Sequence, residues 1–402
     1  MLKEILHKTK IVSEQTLDQR PSAWAMYNKQ LAGTLFSAFD ETTKVVWTTS
    51  YGFPNELLAG FDVVLFDFEV ASAMLPRTQP DAAVAIMSQA EAKGYSVDLC
   101  SYHRMTMGHF LQNDLPKADL MLTSSLFCDS HTKVNQILAH YYGKEAIMLD
   151  VPNELSAESV TYVSEQLRNI ARKLEEVTGQ RFNSDRLRAC IRYSNQARSL
   201  YKRLAELQKE KPYPWNGMRA IQLSLSGGLF SGTHFQAELY EKIIAEIEDR
   251  IASGRVRPEK HRILWLVWSP AQPTMIPDVL KGHQTSLVMG ELARVYWDEI
   301  DESHPYEGMA LKCLKNPYVG PIAQRLSGIL ELVEDYHVDG VVHFSPLACR
   351  FANASFRIIQ DVLVKRNIPF LVLEGDMLDK RNYSDQRTRE SLDSFIEMID
   401  KK

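Results

Sequence analysis

The sequence predicts an α/β protein: two lobes with parallel sheets around a cleft, plus a helical insertion between them. Three observations point there. Short β-rich runs alternate with helical stretches near the start of the chain. The same alternation returns near its end. Between them lies a charged stretch of helical period. Strand–helix alternation argues for a parallel sheet covered by helices on both faces.

In chain order, Lys44-Val-Val-Trp-Thr-Thr reads as a strand and Phe61-Asp-Val-Val-Leu-Phe as a second, with a short helix around Glu56 between them. Asp81 to Lys93 has helical period and stops at Gly94. A short β-like run, Gly94 to Leu99, precedes Cys100. Ala118-Asp-Leu-Met-Leu-Thr and Ala146-Ile-Met-Leu-Asp-Val supply two more strands. From Ser156 to about Lys209 the chain is helical, with a break at Thr178-Gly-Gln. Lys211-Pro-Tyr-Pro and Ser226-Gly-Gly are loop signals, and His234 to Ala252 is a long helix. Arg262 to Trp268, Gly340 to Phe344 and Pro369 to Glu374 read as strands. Ile322 to Tyr336, Phe351 to Arg366 and Ser384 to Asp400 read as helices. The divisions that follow are 1–155, an α/β lobe with a helical N-terminus; 156–258, a helical insertion and linker; and 259–402, a second α/β lobe. Both lobes have a Rossmann-like build.

Composition narrows the function classes. The 402 residues are 45% aliphatic, aromatic or sulfur-bearing, enough for ordinary globular cores. A net charge of −5 gives no pull toward nucleic acid or an anionic membrane. No apolar run reaches the roughly 18 residues of a membrane helix. The first residues mix charge with apolar side chains, unlike a signal peptide. The expected location is cytoplasmic, with no nucleic-acid or membrane partner.

The cysteines are Cys100, Cys128, Cys190, Cys313 and Cys349. An odd number without a C-x-x-C pair argues against a disulfide framework, a zinc ribbon or a thioredoxin-type site. Cys100, Cys128 and Cys349 each follow a β-like run. Ligands of open α/β sheets bind beyond the carboxyl ends of strands, so these three thiols could converge in the cleft. Soft thiolates suit an iron–sulfur cluster. Buried cysteines that merely pack are the competing reading, and for Cys190 and Cys313 the preferred one, because both sit among apolar residues at helical spacing. A zinc site is a further alternative, because Cys100/His103 and Cys128/His131 both have C-x-x-H spacing.

Ser50 and Glu56 flank the end of the first strand and face the same expected cleft. The serine could hold a substrate carbonyl and the glutamate could shuttle a proton. The alternative is a loop serine and a first-turn helix carboxylate. Ser226-Gly-Gly could approach a phosphate backbone-first, with a plain turn the preferred reading. Arg350 and Arg357 could reach phosphates, or could simply be solvated.

Several segments together resemble the 2-hydroxyacyl-CoA dehydratase / benzoyl-CoA reductase subunit family. They are Phe53-Pro-Asn-Glu-Leu-Leu, Leu99-Cys-Ser-Tyr-His-Arg with Leu115-Pro-Lys-Ala-Asp-Leu, and Cys128-Asp with Lys133. They continue with His343-Phe-Ser-Pro-Leu-Ala-Cys-Arg, Glu374-Gly-Asp, Arg381-Asn-Tyr-Ser and Gln386 to Arg389. Their order spans nearly the whole chain. The resemblance implies one [4Fe–4S] cluster held by Cys100, Cys128 and Cys349. It implies a homologous second subunit and a separate ATP-hydrolysing iron–sulfur activator protein. It implies an acyl-CoA substrate, dehydrated through a ketyl radical after one-electron reduction, or an aromatic ring reduced instead. The 27 residues between Cys100 and Cys128 are fewer than in some catalytic subunits. An electron-relay companion is therefore a further expectation. A double-cubane relative would need more cysteines than this chain has.

Overall fold

The computed structural model describes residues 1–49 and 51–401, with only the backbone for Leu225 and Ser226. Two four-stranded parallel sheets form its frame. The first holds β1 (Val45–Trp47), β2 (Val64–Phe66), β3 (Leu120–Ser124) and β4 (Ala146–Leu149), in the order β2-β1-β3-β4. The second holds β5 (His261–Leu266), β6 (Thr285–Gly290), β7 (Gly340–Pro346) and β8 (Phe370–Gly375), in the order β6-β5-β7-β8. The two orders are the same pattern, so the lobes share one topology. In each, the switch point lies between the first and third strands, which pair directly. That is where open sheets leave a crevice.

The first strand of each sheet is buried on both faces. Val45, Val46 and Trp47 are all buried, as is every residue of β5. Such strands suit a sheet covered on both sides rather than one facing water. A tryptophan sits on the first strand of each sheet. Trp47 packs on Phe66 with ring centroids 5.4 Å apart, and Trp265 stacks on Phe344 at 6.0 Å.

Between the sheets the chain is helical: Ala157–Thr178, Ser184–Leu207, Gly217–Ser226 and His234–Ala252. Ser156, Asn183, Asn216 and Thr233 cap these helices with side-chain acceptors. The expected break at Thr178-Gly-Gln is a left-handed C-cap, with Gly179 at φ 70°. Gly217 lets its helix lie on the second sheet, since a Cβ there would fall 2.0 Å from the Leu287 carbonyl oxygen. No helix among the described residues is long and apolar enough to cross a membrane.

Three expectations are corrected. Residues 95–99 form a loop, not a strand, before Cys100. The helix expected over Phe351–Arg366 is two, Arg350–Asn353 and Phe356–Lys365, parted at Ala354 and Ser355. Strand β6 was not expected at all.

An ionic tie joins the lobes. Arg104, on the first-lobe helix Ser101–Leu111, is 1% exposed and donates to Asp379, which follows β8, at 2.9 Å. It also donates to Glu91, and its Nε donates to the Leu99 carbonyl. Arg381 bonds both Glu91 and Asp379 from the outside. The backbone just before Cys100 is thus fixed to the second lobe.

Candidate functional site

Cys100, Cys128 and Cys349 occupy equivalent chemical positions. Each is the N-cap residue of a helix: Ser101–Leu111, Asp129–Tyr142 and Arg350–Asn353 respectively. Cys128 follows β3, Cys349 follows β7, and Cys100 is delivered by the loop that the Arg104 tie anchors. All three are free, half-buried and line one cavity of about 120 Å³ at the cleft. The structure therefore brings together the three thiols singled out from the sequence.

The three thiols oppose one another's ionisation. Burial pushes the Cys100 thiol well up, and the neighbouring Cys349, Glu69 and Cys128 add to it. Burial, then Glu69, push Cys128 up to about 12, and burial raises Cys349. Three thiolates that oppose one another's ionisation require a positive partner. An iron–sulfur cluster is such a partner, and an all-thiolate donor set matches its preference. Unpartnered polar atoms around the same cavity fit this too. Tyr51 Oη, Ser124 Oγ and His131 Nε2 are buried without a hydrogen-bond partner among the described residues. The residues present fit the group.

The two C-x-x-H histidines are engaged elsewhere. Glu69 Oε1 lies 2.8 Å from His103 Nε2 and 2.9 Å from His131 Nδ1, and His103 Nδ1 lies 2.7 Å from Ser130 Oγ. Burial alone would raise Glu69, but His131 and His103 hold its carboxyl well below the usual range. Burial alone would lower His131, but the Glu69 charge outweighs it and raises it. The ligand atoms of Glu69, His103 and His131 lie within 4.8 Å of one another. Phe68 stacks on His131 at 4.8 Å and fixes the ring.

Sequence reasoning missed Glu69. Its signal was present: Asp67-Phe-Glu follows directly on β2, at the carboxyl end of a strand. Asp67 accepts hydrogen bonds from the Glu69 and Val70 amides and starts the helix Phe68–Ser72, which sets Glu69 at the cavity.

Glu56 takes a different place. It lies in the 3-10 helix Asn55–Gly60, fully buried, and accepts from Ser194 Oγ at 2.8 Å and Lys312 Nζ at 2.6 Å. Burial would raise its carboxyl, but Lys312 holds it below the ordinary value. Ser194 and Lys312 line a second cavity, of about 90 Å³, which shares Tyr51 and Leu126 with the cysteine cavity. Ser50 lies outside the described residues. Gly227 and Gly228 line the second cavity. Arg350 is exposed, and Arg357 is exposed and paired with Asp361 on its own helix. Cys190 and Cys313 are each 5% exposed, Cys190 beside the Ser231 carbonyl and Cys313 at the wall of the second cavity.

Residues 50–399 match the family described as 2-hydroxyglutaryl-CoA dehydratase, D-component. A benzoyl-CoA reductase subunit of Thauera aromatica is 24% identical, over 98% of this chain and 96% of its own. The (R)-phenyllactyl-CoA dehydratase alpha subunit of Clostridium sporogenes is 24% identical, over 85% of this chain and 86% of its own. The (R)-2-hydroxyisocaproyl-CoA dehydratase alpha subunit of Clostridioides difficile is 22% identical, over 96% and 98%.

Proposed function

The chain belongs to the 2-hydroxyglutaryl-CoA dehydratase D-component family, and from that premise we propose that it is a subunit of an iron–sulfur 2-hydroxyacyl-CoA dehydratase. Cys100, Cys128 and Cys349 hold one [4Fe–4S] cluster. The observation that carries this reading is the convergence on one cavity of three thiols from both lobes, each at the N-cap position of a helix. Helix N-termini favour the thiolate form that iron needs. A cluster held there would supply single-electron, low-potential chemistry toward the substrate's thioester carbonyl, with an ATP-hydrolysing iron–sulfur activator as the proposed electron source.

The chain's own residues do the rest. Glu69, held as a carboxylate by two histidines, accepts the proton from the acidified C–H, and the substrate hydroxyl leaves as hydroxide, so that one water is lost overall. The Tyr51 hydroxyl, at the junction of the two cavities, donates to a substrate oxygen. The tyrosine-lined second cavity takes the acyl group, with Lys312 in its wall held from behind by the buried Glu56. The relatives' names as subunits support a partner subunit, which this reading takes to be homologous. A benzoyl-CoA-reductase-type role is the second reading, favoured by the 98% coverage of this chain in the match to the Thauera aromatica reductase subunit.

The test is anaerobic purification with the neighbouring subunit, followed by iron analysis and an acyl-CoA panel. Serine at position 100, 128 or 349 should remove the iron and its visible absorption. Serine at 190 or 313 should spare both. Full iron retention in Cys349→Ser would sink the ligand assignment.

A further inference from the structure

Cys128 follows a strand of the first sheet and Cys349 a strand of the second, so no strand ladder sets their separation. Tyr318 stands between the two turns. Its ring lies 5.4 Å from that of Phe127, the residue before Cys128. It lies 4.7 Å from that of Phe351, two residues after Cys349. Phe127 and Phe351 meet each other at 5.1 Å. The three rings close a triangle of tilted and edge-on contacts, geometries that aromatic pairs prefer. Phe127 and Phe351 line the cysteine cavity, whereas Tyr318 lines neither that cavity nor the second one. It reaches the cysteine turns through the other two rings.

Tyr318 is itself fixed from behind. Its hydroxyl donates to Glu291 Oε2 at 2.9 Å. Glu291 directly follows β6 and is buried. The buried Arg325 donates to both carboxylate oxygens, at 2.6 and 2.9 Å. Its guanidinium also lies over the Tyr318 ring, 4.5 Å from the centroid. Its Nη1 donates to Ser355 Oγ at 2.7 Å, in the break between the two helices that follow Cys349. One buried ion pair therefore holds both the tyrosine and the segment beyond Cys349. Bidentate pairs of this kind fix orientation as well as distance.

The Cys128 turn needs such support. Phe127 sits at φ 68°, a conformation that a β-carbon disfavours and that persists where neighbours impose it. Tyr51, at 4.7 Å, is its neighbour in the first lobe, and Tyr318 and Phe351 are its neighbours in the second.

We propose that Tyr318 is a positioning residue for the thiol set. It carries the Glu291–Arg325 anchor to Phe127 and Phe351 and so sets the separation of the Cys128 and Cys349 sulfurs. This rests on the three-thiol reading above and adds what holds the thiols in register across the cleft.

The experiment compares Tyr318→Leu, which removes the ring, with Tyr318→Phe, which keeps the ring and removes the anchor. Tyr336→Leu is the control: a buried tyrosine whose carbonyl accepts from Arg262, near the amino end of β5. Two readouts are taken on the full chain. One is Co²⁺ titration of the iron-free protein, followed by the thiolate charge-transfer band. The other is iron release from the loaded protein to a chelator. Tyr318→Leu should weaken Co²⁺ binding and speed iron release by about tenfold or more, the usual effect of losing a residue that orients metal ligands. Tyr318→Phe should fall between it and wild type. Tyr336→Leu should match wild type in both readouts, even with a lower urea midpoint. Phe127→Leu combined with Tyr318→Leu should be no worse than either alone, because the rings act as a unit. Unchanged behaviour of Tyr318→Leu, or equal changes in Tyr336→Leu, overturns the assignment and leaves the three-thiol ligand set standing. If Tyr318→Leu does not fold, Tyr318→Phe and Phe351→Leu carry the comparison, and wild-type behaviour of both overturns it. A wild-type chain that gives no thiolate band with Co²⁺ brings down both readings.

Discussion

Cys128 and Cys349 are counterparts: each follows the third strand of its sheet, and each stands at the N-cap position of the next helix. Each is also preceded by a non-glycine residue at positive φ, Phe127 at 68° and Ala348 at 64°. The repeated backbone turns both thiols back toward the cleft. Such a conformation costs an L-residue roughly 1–2 kcal/mol and persists where the surroundings impose it.

Position 348 therefore tests the turn. Ala348→Gly removes the left-handed penalty but adds unfolded-state entropy, so stability should change by less than about 1 kcal/mol. Ala348→Val places a β-branched residue at the same φ and should cost more than about 1 kcal/mol. Urea unfolding gives the ranking. Iron release to a chelator should be faster in the valine variant alone. Equal stability of both variants would mean that the turn relaxes freely.

Glu56 is buried against Lys312, whose side chain is 16% exposed. Glu56→Gln leaves that ammonium without its counter-charge, a loss of about 3 kcal/mol or more. Glu56→Gln with Lys312→Met should recover part of it. The folded-state carboxyl is held below its ordinary value. Its stabilisation is thus full above the unfolded value of about 4.3 and fades as pH falls through the folded one. Wild type should lose stability in acid more steeply than Glu56→Gln, by urea midpoints across pH. A roughly hundredfold loss of turnover with unchanged stability would instead assign Glu56 to proton transfer.

The rule that selected Cys128, Cys349 and Glu56 from sequence was positional: chemistry gathers at strand ends. Where strands were legible it picked Cys128 and Cys349, which share a cavity, while Glu56 lies apart from that cavity against Lys312. β7 is Gly-Val-Val-His-Phe-Ser-Pro, β-branched and bounded by punctuating residues. It gave no sight of β6, Thr-Ser-Leu-Val-Met-Gly, whose mixed residues carry no clear period. For Cys100 the residue was legible but the reason was not. A loop held by Arg104 delivers it, and a contact between residues 275 positions apart leaves no local pattern. Glu69 fell within the rule and was passed over because its partners His103 and His131 lie on two later helices.

Glu69 carries the proton chemistry in the proposed reaction. Glu69→Gln keeps the shape and the hydrogen-bonding capacity but removes the base. Iron content should stay at the wild-type level. Turnover of a hydroxyacyl-CoA should fall about 10²-fold or more, with KM little changed. Unchanged turnover would move the base elsewhere.

Arg104 and Arg381 share the acids Glu91 and Asp379, yet their worth should differ greatly. The Arg381 side chain is 37% exposed, so water and salt screen its bonds, and Arg381→Met should cost no more than about 1 kcal/mol. The Arg104 side chain is 2% exposed and faces Asp379 at 1%. Removing it leaves the buried side of Asp379 without its cation and only the partly exposed Arg381 as a partner, a loss of about 3 kcal/mol. Arg104→Lys should not rescue this. A lysine lacks the forked donors that reach Asp379, Glu91 and the Leu99 carbonyl at once. Because the Leu99 bond fixes the residue before Cys100, Arg104→Lys should also release iron to a chelator faster than Arg381→Met does. Denaturant midpoints and chelator kinetics on the two variants decide it. Equal destabilisation, or equal iron loss, would show that the tie between the lobes does not set the cysteine positions.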